Sequence, residues 1–256
     1  MLRYLATVVT DVGNVKRTNQ DSVCVKVAQT EDKGQVAMIV ICDGMGGLEK
    51  GELASSVVVK KFDDWFENTL PLQIQNYQWN DFAEEWVNMI SGLNSQLLEY
   101  GKEADITLGT TITGMLIIED EYMIVHVGDT RLYEIREGIL QLTEDQTFVA
   151  QEIKRGNMTL EQAQIDYRKN MLLQCVGAST RVIPDVIFGK VFPKTVFLAC
   201  SDGFRHVVTE EELYEQFAAE KLQEENMWQR AQRMVEVVKS RDEKDNITVA
   251  LLKCME

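Results

Sequence analysis

Three apolar runs in this chain end alike, in an aspartate set beside a glycine. VICDGMGG at 40–47 and TVFLACSDG at 195–203 run into Asp-Gly, and YMIVHVGDT at 122–130 runs into Gly-Asp. One Asp-Gly is an ordinary way to leave a strand, because glycine reaches positive φ at no steric cost. Three such endings constrain the fold, because they present Asp43, Asp129 and Asp202 at strand ends, and converging strand ends are where a rigid scaffold builds its sites.

The runs around them have the period of strands. Alternating or continuous β-type segments occur at 5–10, 22–27, 36–41, 110–118, 122–127, 132–136 and 139–142. Turn residues at 119–121 and 137–138 predict that the middle of the chain is an antiparallel meander. Two amphipathic helices precede it. Leu53, Ala54, Val57, Val58, Phe62, Trp65 and Phe66 share one apolar face, and Phe82, Ala83, Trp86, Ile90, Leu93 and Leu97 another, with Asp81 and Glu84 spaced like a capping box. These aromatic stripes read as core. Helical pieces at 146–155 and 159–167, strands at 185–191 and 196–200, helices at 210–220 and 227–239 and a last strand at 247–253 complete the pattern. Strands, then helices, then both again predict an α+β fold of packed sheets covered by helices.

No linker or low-complexity run divides the 256 residues, so a single domain over 1–256 is expected. A net charge of −15 argues against nucleic acid and anionic membrane surfaces as partners, since both require a cationic face. The first apolar run is broken at Thr10 and Asp11, too early for a signal peptide, and none approaches the roughly 20 residues of a membrane span. Five scattered cysteines without a CxxC pair read as core thiols in a reducing cytoplasm. With two histidines, His126 and His206, a zinc site is hard to assemble.

What remains is carboxylate chemistry. Asp21 in RTNQDS and Asp245 in KDNITV also flank strands, and if Asp21, Asp43, Asp202 and Asp245 met without a counter-charge they would raise one another's pKa and destabilise the fold. A bound cation removes that conflict, and all-oxygen donors favour Mg²⁺ or Mn²⁺. Two such ions about 3.5–4 Å apart bridge and acidify a water and clamp a phosphoryl group during in-line attack. The expected chemistry is phosphoester hydrolysis.

The order of the motifs carries a resemblance. D-x-G-x-x-K-R-T-N-Q-D-S at 11–22, D-G-M-G-G at 43–47, L-G-T-T at 108–111, V-G-D-T-R at 127–131, L-T-E-D-Q at 142–146, S-D-G at 201–203 and D-N-I-T-V at 245–249 together resemble the metal-dependent serine/threonine protein phosphatases of type 2C, particularly their compact bacterial members. The resemblance implies an α-β-β-α sandwich of two antiparallel sheets flanked by helices, with a flap at about 148–177. It implies two Mn²⁺ or Mg²⁺ ions, with Asp43 bridging, the Gly44 carbonyl on one ion, Asp202 and Asp245 on the other, and Asp21 beside them; Asp43 and Asp21 are then the catalytic carboxylates. Asp129, shared with Asp202, would hold a more weakly bound third ion. Gly44 would be required so that its carbonyl reaches a metal, and Gly46 and Gly47 so that the chain turns away. The implied partners are phosphorylated proteins, substrates of a serine/threonine kinase.

Three positions depart from the family. Met45 stands where animal members carry a histidine general acid, so leaving-group protonation falls to water or a metal-bound water. Lys16 stands at the phosphate-binding arginine, with Arg17 beside it. If that stretch entered a strand, only one of the two would face the metals. Gln146 and residues 165–168 replace histidines of many bacterial relatives, so the flap's contacts should differ. Arg131 reads as structural. Two further readings use the same residues: a two-metal phosphoesterase acting on a small metabolite, and a phosphoprotein-binding module without turnover.

Overall fold

β3 (Gln35–Asp43) is apolar along nearly its whole length, and both of its faces are buried. Val36, Met38, Val40 and Cys42 point into one core, and Ala37, Ile39 and Ile41 into another. Such a strand belongs in the middle of a layered structure. The computed structural model describes residues 2–45 and 50–255. Among them, ten strands form two five-stranded antiparallel sheets. One has β1 (Arg3–Asp11), β10 (Ile247–Met255), β9 (Val196–Cys200), β6 (Arg131–Ile135) and β7 (Ile139–Gln141) in that spatial order; the other has β2 (Asp21–Gln29), β3, β4 (Ile112–Ile118), β5 (Glu121–Val127) and β8 (Asp185–Lys190).

Three apolar layers hold the sandwich together. Between the sheets, Ile39, Ile41, Met115 and Ile117 meet Leu132, Phe197, Ala250 and Leu252. Outside the second sheet, α1 (Gly51–Asn68) and α3 (Trp79–Ala104), linked through α2 (Leu70–Gln73), lay Phe62, Trp65, Phe82 and Trp86 over Met38, Val40 and Leu116. Residues 148–177 contain α4 (Phe148–Lys154) and α5 (Leu160–Ile165), and α6 (Asp202–Arg205) follows β9 directly. Outside the first sheet, α7 (Glu210–Phe217) and α8 (Met227–Ser240) bury Leu213, Phe217, Ala231 and Val235 against Leu198, Val249 and Leu251. The architecture agrees with the α-β-β-α sandwich expected from the sequence. No helix among the described residues is long and apolar enough to cross a membrane.

Three local expectations are corrected. The predicted meander is two hairpins in different sheets: β4–β5 lies in one and β6–β7 in the other, and the chain crosses between them at 128–130, where Gly128 takes φ 111°. Burial drives the crossing, because each hairpin has its own partner strand, β3 for β4 and β9 for β6. The capping box at Asp81 and Glu84 does not form. α3 starts three residues earlier, after Gln78, without a side-chain cap, which leaves Asp81 in the first turn. Lys16 and Arg17 lie in the β1–β2 loop, not in a strand, so strand alternation does not choose between them. The expectations for Gly46 and Gly47 fall outside the described residues.

Trp86 is fully buried, meets Phe62 and Trp65 edge-to-face at ring-centroid distances of 4.9 and 5.2 Å, and sits over Gly114 of β4, where a Cβ would lie 3.2 Å from the indole. Trp86→Ala should therefore destabilise the fold by about 3–5 kcal/mol through the cavity it leaves. Urea unfolding should show a lower midpoint at unchanged m; an unchanged midpoint would mean the helix layer does not depend on this ring.

Candidate metal centre

In the β2–β3 register Asp21 stands directly opposite Asp43, the first residue of one strand against the last of the next. Like charges in that position repel. β9 ends where α6 begins with Asp202, the 241–246 segment delivers Asp245 ahead of β10, and the β5–β6 crossover delivers Asp129. The structure thus brings the carboxylates named from the sequence to the same end of the sandwich, close enough that Asp202 acts on Asp21, Asp43 and Asp129.

Main-chain hydrogen bonds hold this arrangement. The Asp43 N–H donates to Thr111 Oγ1 at 2.9 Å, while its carbonyl accepts from Thr110 Oγ1 and from the Thr111 N–H, both at 2.9 Å. The L-G-T-T stretch is therefore a clamp on Asp43. Asn246, next to Asp245, ties down the β1–β2 loop: its Nδ2 donates to the carbonyls of Val12 and Thr18 at 2.9 and 3.1 Å, and its Oδ1 accepts from the Gln20 N–H at 2.9 Å. Two glycines permit close approach. A Cβ on Gly203 would lie 2.1 Å from the Asn246 carbonyl oxygen, and one on Gly44 would lie 2.4 and 2.5 Å from the carbonyl oxygens of Gly51 and Gln20. Neither glycine has positive φ. Gly44 is thus required by packing, a reason separate from the carbonyl-to-metal role inferred from the sequence.

Burial first, and then the neighbouring carboxylates Asp202 and Asp245, push the Asp21 carboxyl up to about 7. Asp129 is raised to about 7 by burial and by Asp202, with Arg205 acting against the rise. Asp43 keeps some exposure at the mouth, yet the surrounding protein and then Asp21 and Asp202 hold it well above the usual carboxylate range. Both carboxylate oxygens of Asp21, and Oδ1 of Asp202, are buried with no hydrogen-bond partner. Unpartnered buried anionic oxygens are costly, and a hard cation is the group that satisfies them. Among the described residues, no three His, Cys, Asp or Glu side chains close on one point as a ready-made cage. Pairs of carboxylates suit ions that keep several waters, as Mg²⁺ does.

Cations stand around the rim. Lys16 Nζ lies 2.8 Å from Asp245 Oδ1; against the pull of burial, Asp245, with Asp43 and Asp202 behind it, raises the ammonium pKa. Arg17 is exposed. Sequence reasoning missed four neighbours. Arg205 Nη2 is 3.6 Å from Asp129 Oδ2 and 3.4 Å from Asp145 Oδ2, and His206 bridges Asp202 and Glu243 at 3.5 Å each. The i,i+4 spacing of Asp202 and His206 was the available signal. Arg131 grips Asp145 through Nε and Nη2 at 2.8 and 2.7 Å, and this fork holds Asp145 low despite its burial. Gln146 binds the Gly128 N–H and Asp185 at 2.9 and 2.8 Å. A cleft of about 700 Å³ opens beside Asp129 and Asp145, between Arg205 and His206 and the α4 residues Val149 and Ile153.

Comparison with known proteins identifies the family and the fold. A profile of the Protein phosphatase 2C family matches residues 14–239. The chain is 30% identical over 249 residues to serine/threonine phosphatase stp of Listeria monocytogenes serotype 4b (strain F2365), covering 95% of this chain and 93% of that protein. It is 29% identical to protein phosphatase PhpP of Streptococcus pneumoniae serotype 2 (strain D39 / NCTC 7466), over 98% of this chain and 97% of that one. The solved S. agalactiae serine/threonine phosphatase superposes with a TM-score of 0.86 at 27% identity, over 99% of this chain and 100% of that one. The chain belongs to the protein phosphatase 2C family.

The raised carboxyl pKa values have a measurable consequence. An unfolded Asp titrates near 3.9, whereas Asp21 in the metal-free fold titrates at about 7. Between roughly pH 4 and 7 the folded state therefore binds more protons, and stability falls as pH rises. Compared with Asp21→Asn, the metal-free wild type should lose stability across that window, and Mn²⁺ should abolish the difference. Parallel urea-midpoint curves for the two proteins in EDTA would refute the assignment.

Proposed function

We propose that this chain is a metal-dependent protein phosphatase that hydrolyses phosphoserine and phosphothreonine on proteins. The observation that carries the reading is the burial, without hydrogen-bond partners, of both Asp21 oxygens and of Asp202 Oδ1, at the end of the sandwich where Asp43 and Asp245 add further charge. Family membership and the names of the relatives, serine/threonine phosphatases, support it. Asp43 would be shared between two Mn²⁺ or Mg²⁺ ions, with the Gly44 carbonyl on one, Asp202 and Asp245 on the other, and Asp21 beside them. Bound there, such a pair supplies an acidified water as nucleophile and clamps the phosphoryl oxygens.

The chain's own residues orient the reaction. Lys16 carries a charge into the carboxylate cluster and can hold a phosphate as a point charge, whereas Arg17 stands exposed. The thioether side chain of Met45, whose main-chain N–H donates to the Gly109 carbonyl at 3.1 Å, has no acidic proton, so protonation of the departing serine or threonine oxygen falls to water or a metal-bound water. We take 1–256 as one catalytic domain with a flap at 148–177 bordering the cleft. Its partners are phosphoproteins, the substrates of a serine/threonine kinase, and the net charge of −15 disfavours nucleic acid and anionic membranes. Five unpaired thiols support a cytoplasmic setting.

Phosphoserine and phosphothreonine peptides assayed against nucleotides in Mn²⁺ test the reading. Peptide turnover should vanish in EDTA and in Asp43→Ala, while the variant stays folded because loss of one carboxylate relieves repulsion. Turnover surviving exhaustive EDTA would overturn the metal reading. A preference for nucleotides would make the chain a metabolite phosphoesterase, and peptide binding without turnover a binding module. Lys16→Ala should lower kcat/KM by about one to two decades, the equivalent of roughly 1.5–3 kcal/mol for a charged phosphate contact. Arg17→Ala should stay within a few-fold, and the opposite ordering would reassign the phosphate contact to Arg17.

A further inference from the structure

The carboxylates of the centre divide into two sets by what faces them. Asp21 has neither a cation nor a hydrogen bond on its oxygens, whereas Asp129 has a guanidinium. We propose that Arg205 is the resident counter-cation of Asp129, standing where a third metal ion would otherwise sit, so that this centre is complete with two ions. The assignment rests on the metal-centre reading above, and it departs from the third ion that the sequence resemblance implies for Asp129 and Asp202.

Three observations carry it. First, Arg205 is the last residue of α6, three positions after Asp202, so the short helix that supplies one carboxylate also delivers the guanidinium to the next. Its Nη2 lies 3.6 Å from Asp129 Oδ2 and donates to the Asp129 main-chain carbonyl at 3.3 Å. Second, the other carboxylate within reach, which Arg205 also helps to hold low, already has a fork of its own. Asp145 is 3.4 Å from Arg205, but both of its oxygens are gripped by Arg131 at 2.8 and 2.7 Å, and Arg131 is itself fixed by Nη1 donating to Tyr133 Oη at 2.8 Å. Among the described residues, Arg205 is the cation that pairs with Asp129. Third, the pair is enclosed, with side-chain exposures of 13% for Arg205 and 10% for Asp129.

Residue type decides whether a metal ion can share this position. A dication between Asp129 and Asp202 would stand within a few ångströms of the guanidinium, and repulsion grows as distance and local dielectric fall. Lysine or histidine could release a proton to admit the ion, but arginine does not deprotonate in proteins. Arg205 is thus a positioning residue that acts through Asp129. It fixes the carboxylate at the wall of the cleft and keeps weak metal binding out of that wall.

Bound Mn²⁺ per chain, counted by equilibrium dialysis with elemental analysis up to millimolar free metal, tests the assignment. Wild type should hold two ions, and Asp129→Asn should leave that count unchanged. Arg205→Gln should gain a third ion, lost again in Arg205→Gln/Asp129→Asn. A third ion in wild type that disappears in Asp129→Asn overturns the assignment, as does a folded Arg205→Gln that stays at two. If Arg205→Gln does not fold, the comparison of wild type with Asp129→Asn decides alone. A wild-type chain that binds no Mn²⁺ overturns the metal-centre reading and this assignment with it, whereas a third ion on Asp129 overturns the assignment only.

Discussion

The structure depends on holding like charges together. Asp21 and Asp43 face each other across a strand pair, with Asp202 and Asp245 close behind, in a chain that already carries −15. Repulsion between them favours any local opening that separates the strand ends. The fold resists through main-chain geometry. Thr110 and Thr111 fix both polar groups of Asp43, Asn246 fixes the loop before Asp21, and the Ser55 hydroxyl of α1 donates to the Gln20 carbonyl at 2.6 Å. Each of these bonds acts on backbone, so none of them occupies a carboxylate oxygen. Three apolar layers behind them supply the stability against which the charges are gathered.

Where the protein does neutralise an anion, it chooses the cation by geometry. Arg131 offers a planar fork to Asp145, and the result is two short parallel bonds. Lys16 offers a point charge to Asp245 from a loop, an arrangement a phosphate could displace. His206 sits between Asp202 and Glu243, and Glu243 in turn binds the main-chain N–H groups of Lys244 and Asp245 at 2.8 and 2.9 Å, shaping the turn that presents Asp245. The inner pair, Asp21 and Asp43, receives no such cation among the described residues, and Asp202 Oδ1 is likewise left without a hydrogen-bond partner.

Much of the fold was legible because period and burial agree. The strands and both long helices fall where apolar spacing put them, and the two-faced burial of β3 follows from its unbroken apolar run. The errors came where a local pattern had a non-local competitor. Turn residues at 119–121 and 137–138 mark real hairpins, but whether successive hairpins share a sheet depends on β3 and β9, which are far away in sequence. Asp81 and Glu84 had the spacing of a capping box, yet α3 begins at Trp79, whose indole Nε1 donates to Glu121 at 2.7 Å. Strand period at 110 and 111 was interrupted because those threonines bind Asp43.

The sequence by itself determined the chemistry on offer: which strands end in carboxylates, that every candidate donor is oxygen, and that the motifs occur in the order of the type 2C phosphatases. It could do so because strand period, residue type and motif order are local properties of the chain. Only the tertiary structure decided which charges touch. Asp21 opposes Asp43 through strand register, Lys16 meets Asp245 across more than 200 residues, and Arg205 of α6 reaches Asp129 in the β5–β6 crossover. The physical reason is that Coulomb interaction and desolvation depend on distance and enclosure. Both are set by how two sheets close on each other, which no single segment encodes.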